Sequence, residues 1–268
     1  MSAATRPAGG RHSPCRVGGV LFAPVIMLAA VIMLASAAGA RAQAPVYDPI
    51  EPVNRAIFSF NRVIDGLILD PAQQMYGYAV PEPAKTGFRN FLSNLTSPIT
   101  FLNDLLQGER ERAGVTLGRF MINSTLGFFG VFDFASVVGM DEPHTEDLGQ
   151  TLGVYGIGSG PYLVLPILGP SSTRDAFGFV VTTLALDPVT YIMSDDAALA
   201  TRIVSGVDTR YQLDPALDDL ERNSLDLYAS TRTIYLQKRE AEIRNGAPVT
   251  DDANYEDIFN EEFEESLE

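Results

Sequence analysis

Side chains able to do covalent or metal chemistry are few in this 268-residue sequence, which holds two histidines and one cysteine. Beyond residue 42 a single histidine, His144, and no thiol remain. His144 sits in an acidic knot, Asp141-Glu142-Pro143-His144-Thr145-Glu146-Asp147. Carboxylates and an imidazole suit a divalent ion, yet the spacing fits no ordered calcium loop and no second histidine completes a zinc site. The knot reads instead as an exposed loop whose acids cap the helix that follows. A serine hydrolase needs a nucleophile at a sharp elbow with a base beside it. Ser159, in Gly156-Ile157-Gly158-Ser159-Gly160, misses the G-x-S-x-G pattern at Ile157. The same run misses G-x-G-x-x-G at Pro161, and neither a preceding strand nor a following helix supports a phosphate cradle. The expectation is a protein with no catalytic residue, no metal, no cofactor and no enzyme activity.

The elements that would position any other site are marked by Asp-Pro pairs, at Asp48-Pro49, Asp70-Pro71, Asp187-Pro188 and Asp214-Pro215, with Ser97-Pro98 reading the same way. Asp or Ser caps free N–H groups, and proline suits the first helical turn, where its missing N–H costs nothing. Val53, Ile57, Phe60, Ile64 and Leu67 fall on one helical face, as do Phe88, Leu92, Leu95, Ile99, Leu102 and Leu106, the second run being broken into two helices at Pro98. Leu213, Leu217, Leu220, Leu227, Thr231 and Ile234 predict one long helix ended by Asn245-Gly246. Between Gly127 and Gly169 frequent glycine predicts short helices and irregular loops, and the close glycines from Gly156 to Gly160 predict tight backbone packing. Strand-like alternation is scarce. Apolar stripes of this kind face either a protein core or a lipid surface. Gly127-Phe128-Phe129-Gly130-Val131-Phe132-Asp133-Phe134 packs four phenylalanines more closely than one helix face would bury, which keeps lipid contact open there as the alternative to core packing, the commoner role of such residues.

Charge and the chain ends place the protein. Arg6, Arg11 and Arg16 precede an uncharged run from Val17 to Ala40, and Ala40-Arg41-Ala42 offers a small-x-small cleavage site. This predicts a signal peptide over 1–42 and a mature start at Gln43, although 24 uncharged residues are also long enough for a membrane anchor. Removing that segment leaves 15 basic against 34 acidic groups, a net charge of −19, which disfavours nucleic acid as a partner. Cys15 lies before the apolar run, where it cannot be a lipidation site, and a thiol-free mature chain suits an oxidising compartment. One helical domain is expected over 43–246. From 247 to 268 the chain reads as a solvated, disordered acidic tail, with nine acids and no base between Asp251 and Glu268.

Four blocks carry a resemblance: DPIEPVNRAIFSFN from Asp48, FRNFLSNLTSPITFLNDLLQGE from Phe88, RFMINSTLGFFGVFDFAS from Arg119, and EDLGQTLGVYGIGSGPYLVLPILGPSSTRDAFG from Glu146. In this order, across roughly Tyr47 to Tyr235, they resemble the MlaA/VacJ family. The resemblance implies an all-α single domain whose amphipathic helices form a ring with a central channel in the outer membrane beside porin trimers. Through it phospholipid would leave the outer leaflet for a soluble periplasmic carrier, without ATP and without catalysis. Phe88, Phe91, Leu92, Leu95, Phe101 and Leu102 become candidates for a lipid-facing rim, with Phe128, Phe129 and Phe132 from the aromatic segment. Asn90 joins them because the resemblance places the Asn90-Phe91 pair on a membrane-embedded helix. An alternative role is a porin-docking adaptor without its own conduit. Members of the family usually carry a cysteine just after the signal sequence, and Ala38-Gly39-Ala40-Arg41-Ala42-Gln43 has none, so attachment here would rest on the apolar rim and a protein partner.

Overall fold

Asp187 is the one Asp-Pro aspartate that caps as expected, accepting from the Val189 N–H at 3.0 Å at the start of a short helix, Pro188–Ile192. A computed structural model describes residues 48–247; the N-terminal segment through Ala42 and the acidic tail from 248 lie outside the described residues. The other pairs behave differently. Asp70-Pro71 follows a π-turn, Asp65–Leu69, that joins α1 (Glu51–Ile64) to α2 (Asp70–Ala79), and this wider turn puts Pro71 in the first turn of α2. Pro98 lies inside a continuous α3 (Glu82–Gln107) and does not divide it. The hydroxyls of Thr96 and Ser97 donate to the Leu92 and Ser93 carbonyls at 3.0 and 2.8 Å, back-bonding that bends a helix without ending it.

After α4 (Arg110–Thr125) come α5 (Phe134–Val137) and α6 (Leu148–Val154), the short helices expected of the glycine-rich middle. A two-stranded antiparallel hairpin, β1 (Tyr162–Leu165) with β2 (Gly169–Ser172), was not expected, since four-residue strands carry too little alternation to read. It pairs Tyr162 with Ser172 and Leu165 with Gly169. Its open edge is closed by α1: Asn54 donates to the Tyr162 carbonyl at 2.9 Å and accepts from the Val164 N–H at 3.0 Å. Two turns on, Asn61 makes the same pair of bonds to Leu165 and Ile167. Two side-chain amides thus stand in for a third strand.

Then follow α7 (Thr173–Ala185), α8 (Pro188–Ile192), α9 (Asp195–Asn223) and α10 (Leu227–Ile243). The predicted single helix through Leu213 and Ile234 is two, because Ser224 is extended and Asp226 caps a new start at the Ala229 N–H. Asp214-Pro215 is interior to α9 and caps nothing. The end at Asn245-Gly246 is as read, both residues being left-handed with φ 53° and 74°. Of the glycines from Gly156 to Gly160, Gly156 has nothing within 4 Å of a Cβ; close packing is seen at Gly178, where a Cβ would stand 2.5 Å from the Gly149 nitrogen, joining α7 to α6.

The interior is the unusual feature. Among the described residues only seven apolar side chains are buried, three of them alanines, against nineteen polar or charged ones. Of the predicted stripe, Val53 and Phe60 are 55 and 50% exposed and Leu67, in the turn after α1, 73%, whereas Ile57 and Ile64 are half-buried, Ile57 against Tyr162, Val164 and Tyr228; Asn54, on the neighbouring face, is buried. Burying polar groups costs several kcal/mol each unless they are paired, so ion pairs and amide bonds must organise this core. Asp48, expected to cap α1, instead turns inward to Tyr228, Arg232 and Asn54. Lys85 is enclosed by the Tyr211 ring, 4.1 Å from its centroid, and by Glu82 at 2.8 Å. No single described helix is long and apolar enough to cross a bilayer; the bent pair spanning 173–192 and 195–223 passes only together, across a 112° break.

Candidate functional site

On α3 the side chains Asn90, Ser93, Asn94 and Ser97 recur at helical spacing, and on α4 Thr116, Arg119 and Asn123 do the same. The two helices pack with these polar faces toward each other and, with Asp133, Pro143 and His144, line a cleft open to solvent. About 40 Å³ of it is open to the centre of a water molecule. Roughly 10–15 Å³ holds one water, so the cleft admits a few waters or a group the size of a phosphate.

The floor of the cleft is an ion-pair network. His144 Nε2 lies 2.9 Å from Asp104, and the Thr116 hydroxyl donates to the other Asp104 oxygen at 2.7 Å. Next to them Glu146, also buried, receives Arg112 at 2.7 Å and Gln107 at 3.0 Å. Burial and the neighbouring Asp104 raise the Glu146 pKa against the pull of Gln107 and Arg112. Asp104, His144 and Glu146 bring one ligand atom each within 4.8 Å, a grouping the sequence hid because Asp104 is 40 residues from His144. Their oxygens are already paired to protein donors, so the group acts as a clamp between α3, α4 and the 141–147 loop. The acidic knot is therefore only partly the exposed loop expected: Asp147 does cap α6, at the Gln150 N–H, but Glu146 is interior.

Above the cleft the chain from Leu126 to Phe132 forms a strained lip. Phe128, Phe129 and Gly130 are consecutively left-handed, with φ 54°, 59° and 90°. A non-glycine residue there costs on the order of 1–3 kcal/mol and persists only where its surroundings impose it. They do so here: the Gly130 N–H donates to the Asn123 carbonyl at 2.8 Å, Asn94 Nδ2 to Ser124 at 2.9 Å and weakly to the Phe129 carbonyl at 3.5 Å, and Asn90 to the Val131 carbonyl at 3.3 Å. A Cβ at Gly130 would lie 2.3 Å from the Asn94 Cβ, so only glycine fits. The result is that Phe128, Phe129 and Phe132 are 67, 70 and 60% exposed, the first two stacked edge to face at 5.8 Å. Arg119, 7% exposed at its side chain, pairs through Nη2 with both Asp133 oxygens at 2.7 Å and through Nη1 with the Asp141 carbonyl. Burial raises the Asp133 carboxyl, but Ser136, Asn123 and Arg119 outweigh it and hold it below its ordinary value.

Of the rim candidates, the structure exposes Phe128, Phe129, Phe132 and, less fully, Leu102, and leaves Phe88, Phe91, Leu92, Leu95 and Phe101 half-buried along α3. Asn90 points the other way, into the cleft. Asn94, Arg119, Asn123 and Asp133 were missed. Their signal was present: polar side chains at helical spacing inside otherwise apolar blocks, which on a soluble helix would read as the solvent face.

Comparisons with known proteins agree with this architecture. The chain matches the MlaA lipoprotein family over residues 46–242. It is 35% identical over 210 residues to the intermembrane phospholipid transport system lipoprotein MlaA of Shigella flexneri, covering 77% of this chain and 82% of that protein. An uncharacterised protein of Rickettsia felis is 38% identical over 199 residues, covering 74% and 79%. A solved structure described as the structural basis for maintenance of bacterial outer membrane lipid asymmetry superposes with a TM-score of 0.65 at 36% identity, over 73% of this chain and 98% of that one. With the family's blocks in order along the sequence and the same helical frame around them, the chain belongs to the MlaA lipoprotein family.

Proposed function

We propose that this protein removes misplaced phospholipid from the outer leaflet of the outer membrane and passes it toward the periplasm, maintaining lipid asymmetry. The observation that carries this reading is the inverted distribution of side chains, apolar outside and polar inside, with a water-holding cleft beneath an exposed phenylalanine lip. Such a surface is stable only against an apolar surrounding, and helices satisfy their own backbone bonds there. A headgroup crossing a leaflet needs a polar path, since an unpaired charge in hydrocarbon is strongly disfavoured. The amphipathic helices form a ring in the leaflet, the cleft between α3 and α4 is the narrow part of its central channel, and acyl chains slide along Phe128, Phe129 and Phe132. Flow down a gradient needs no nucleophile, so the protein acts as a conduit and not as an enzyme. An outer-membrane porin trimer steadies it, and a soluble periplasmic carrier takes the lipid.

The test is a pair of substitutions, Phe91→Asp and Phe128→Asp, in cells whose outer-leaflet phospholipid is then quantified. If folding and porin association are retained, surface phospholipid should rise to the level of a deletion strain. Unchanged asymmetry in that background would overturn the conduit and favour a porin-docking adaptor.

A further inference from the structure

Six buried polar side-chain atoms among the described residues lack a partner, and one of them, Asn94 Oδ1, belongs to a residue that lines the cleft. Asn94 is 7% exposed, and its Nδ2 is used on Ser124 and the Phe129 carbonyl, which fixes Oδ1 as the acceptor end. A buried acceptor without a donor is costly and is the kind of atom a ligand satisfies. Arg119 also lines the cleft; its bonds occupy Nη1 and Nη2, and among the described residues nothing engages Nε. Asp133 is the carboxylate beside it, 27% exposed at its side chain. The cleft therefore offers one guanidinium donor, one carboxylate and one unmet carbonyl, with space of phosphate size between α3 and α4.

We infer that the cleft recognises a zwitterionic phosphoester headgroup bearing N–H donors, Arg119 taking the phosphate and Asn94 Oδ1 with Asp133 taking the ammonium. This rests on the conduit reading and adds headgroup selection to it. A guanidinium is the side chain best matched to phosphate oxygens. A primary ammonium gives Asn94 its missing donor and joins Arg119, Asn123 and Ser136 on the Asp133 carboxylate. A trimethylammonium headgroup has no N–H to give. An anionic glycerol headgroup leaves Asp133 facing net negative charge.

The test uses the full chain purified in detergent and equilibrated with vesicles of equal parts dioleoyl phosphatidylethanolamine, phosphatidylcholine and phosphatidylglycerol, with the retained lipid counted by mass spectrometry. The ethanolamine lipid should be enriched about tenfold over the choline lipid, the scale of one charged hydrogen bond. Asn94→Leu should bring the ethanolamine lipid down to the choline level. Because Asn94 also holds the lip, Asp133→Asn is the second variant; it keeps an oxygen for the Ser136 N–H but gives up the Arg119 ion pair, so a circular-dichroism melt first establishes that it is folded, and it should then shift retention from the ethanolamine to the glycerol lipid. Competition with soluble O-phosphoethanolamine and with inorganic phosphate separates a headgroup site from an oxyanion site. Equal displacement by the two would overturn the ammonium half of the inference. Retention of all three lipids in vesicle proportion would overturn headgroup selection while leaving the conduit standing, and a folded protein retaining no lipid would overturn the conduit itself.

Discussion

Asp175 shows how a carboxylate stays ionised in an interior built from polar groups. Burial pushes its pKa up, but the Arg239 guanidinium and the Tyr235 hydroxyl, at 2.6 Å, pull harder and hold it at about 2. Arg239 is shared with Asp147 at 2.9 Å, so one guanidinium fastens α10 to both the N-cap of α6 and the first turn of α7. A carboxyl that is more acidic when folded contributes stability above its unfolded pKa, and that contribution disappears as pH falls through the folded value. The window here lies between about pH 4 and pH 2. At roughly 1.4 kcal/mol per unit the contribution is about 2 kcal/mol, with little screening to discount because the side chain is 9% exposed. Asp48, Asp133, Asp147 and Asp208 are also depressed and add loss of the same sign. Denaturant melts at pH 6 and pH 3 should show wild type losing stability, and Asp175→Asn should be weaker at pH 6 with a shallower further loss. An Asp175→Asn melt as stable as wild type at pH 6 would sink this account.

At the level of elements, the joint between α1 and the hairpin carries the strongest dependence on single side chains. Asn54 is 1% exposed and serves a strand carbonyl, a strand N–H and Asp48 at once. Asn54→Ala leaves at least two buried groups without partners, so it should cost about 2–4 kcal/mol. Ser59→Ala, on an exposed position of the same helix, should stay within about 0.5 kcal/mol. Chemical denaturation of the two variants checks the contrast, and equal effects would remove the hairpin joint as the cause. This joint also marks where reading the sequence stopped. Helix existence was legible in the 3.6-residue recurrence of Val53, Ile57 and Phe60, because periodicity depends only on the helix itself. Which side faced inward was not legible, because the same stripe serves a core or a lipid surface and the deciding partner lies about 108 residues away, as Asn54 and Tyr162 do. Pro98 and Pro215 misled for a related reason: their local signal is a helix start, and α3 and α9 run on through them. Of the site, the phenylalanines were visible by composition. Arg119 and Asn94 were not, since a polar stripe on a helix reads as a solvent face until the facing helix gives it a partner.

For the whole molecule, charge and surface give opposite instructions about membranes, and their balance predicts how the protein is held. The chain without its first 42 residues carries −19, and anionic lipid surfaces repel it over a Debye length of roughly 8 Å at physiological salt. Against this stand exposed apolar side chains on the π-turn after α1, on α4 and on the lip, such as Leu67, Met121, Leu126 and Phe129, each 60% exposed or more. Apolar burial contributes roughly 25 cal/mol per Å² and is not screened by salt. Attachment should therefore survive, and even strengthen in, 1 M salt, while detergent releases the protein. On the proposal that residues 1–42 are a leader cleaved before Gln43, attachment should not depend on acylation: the mature N-terminus should be an unmodified Gln43, and Cys15→Ser should leave the outer-membrane fraction unchanged. Intact-mass analysis of protein from separated inner and outer membranes reads all of these points together. Release by salt would make the attachment electrostatic, and an acyl adduct would make it a lipid anchor. A retained leader would make it a transmembrane segment, and each of these would displace the apolar rim as the element that holds this protein in its membrane.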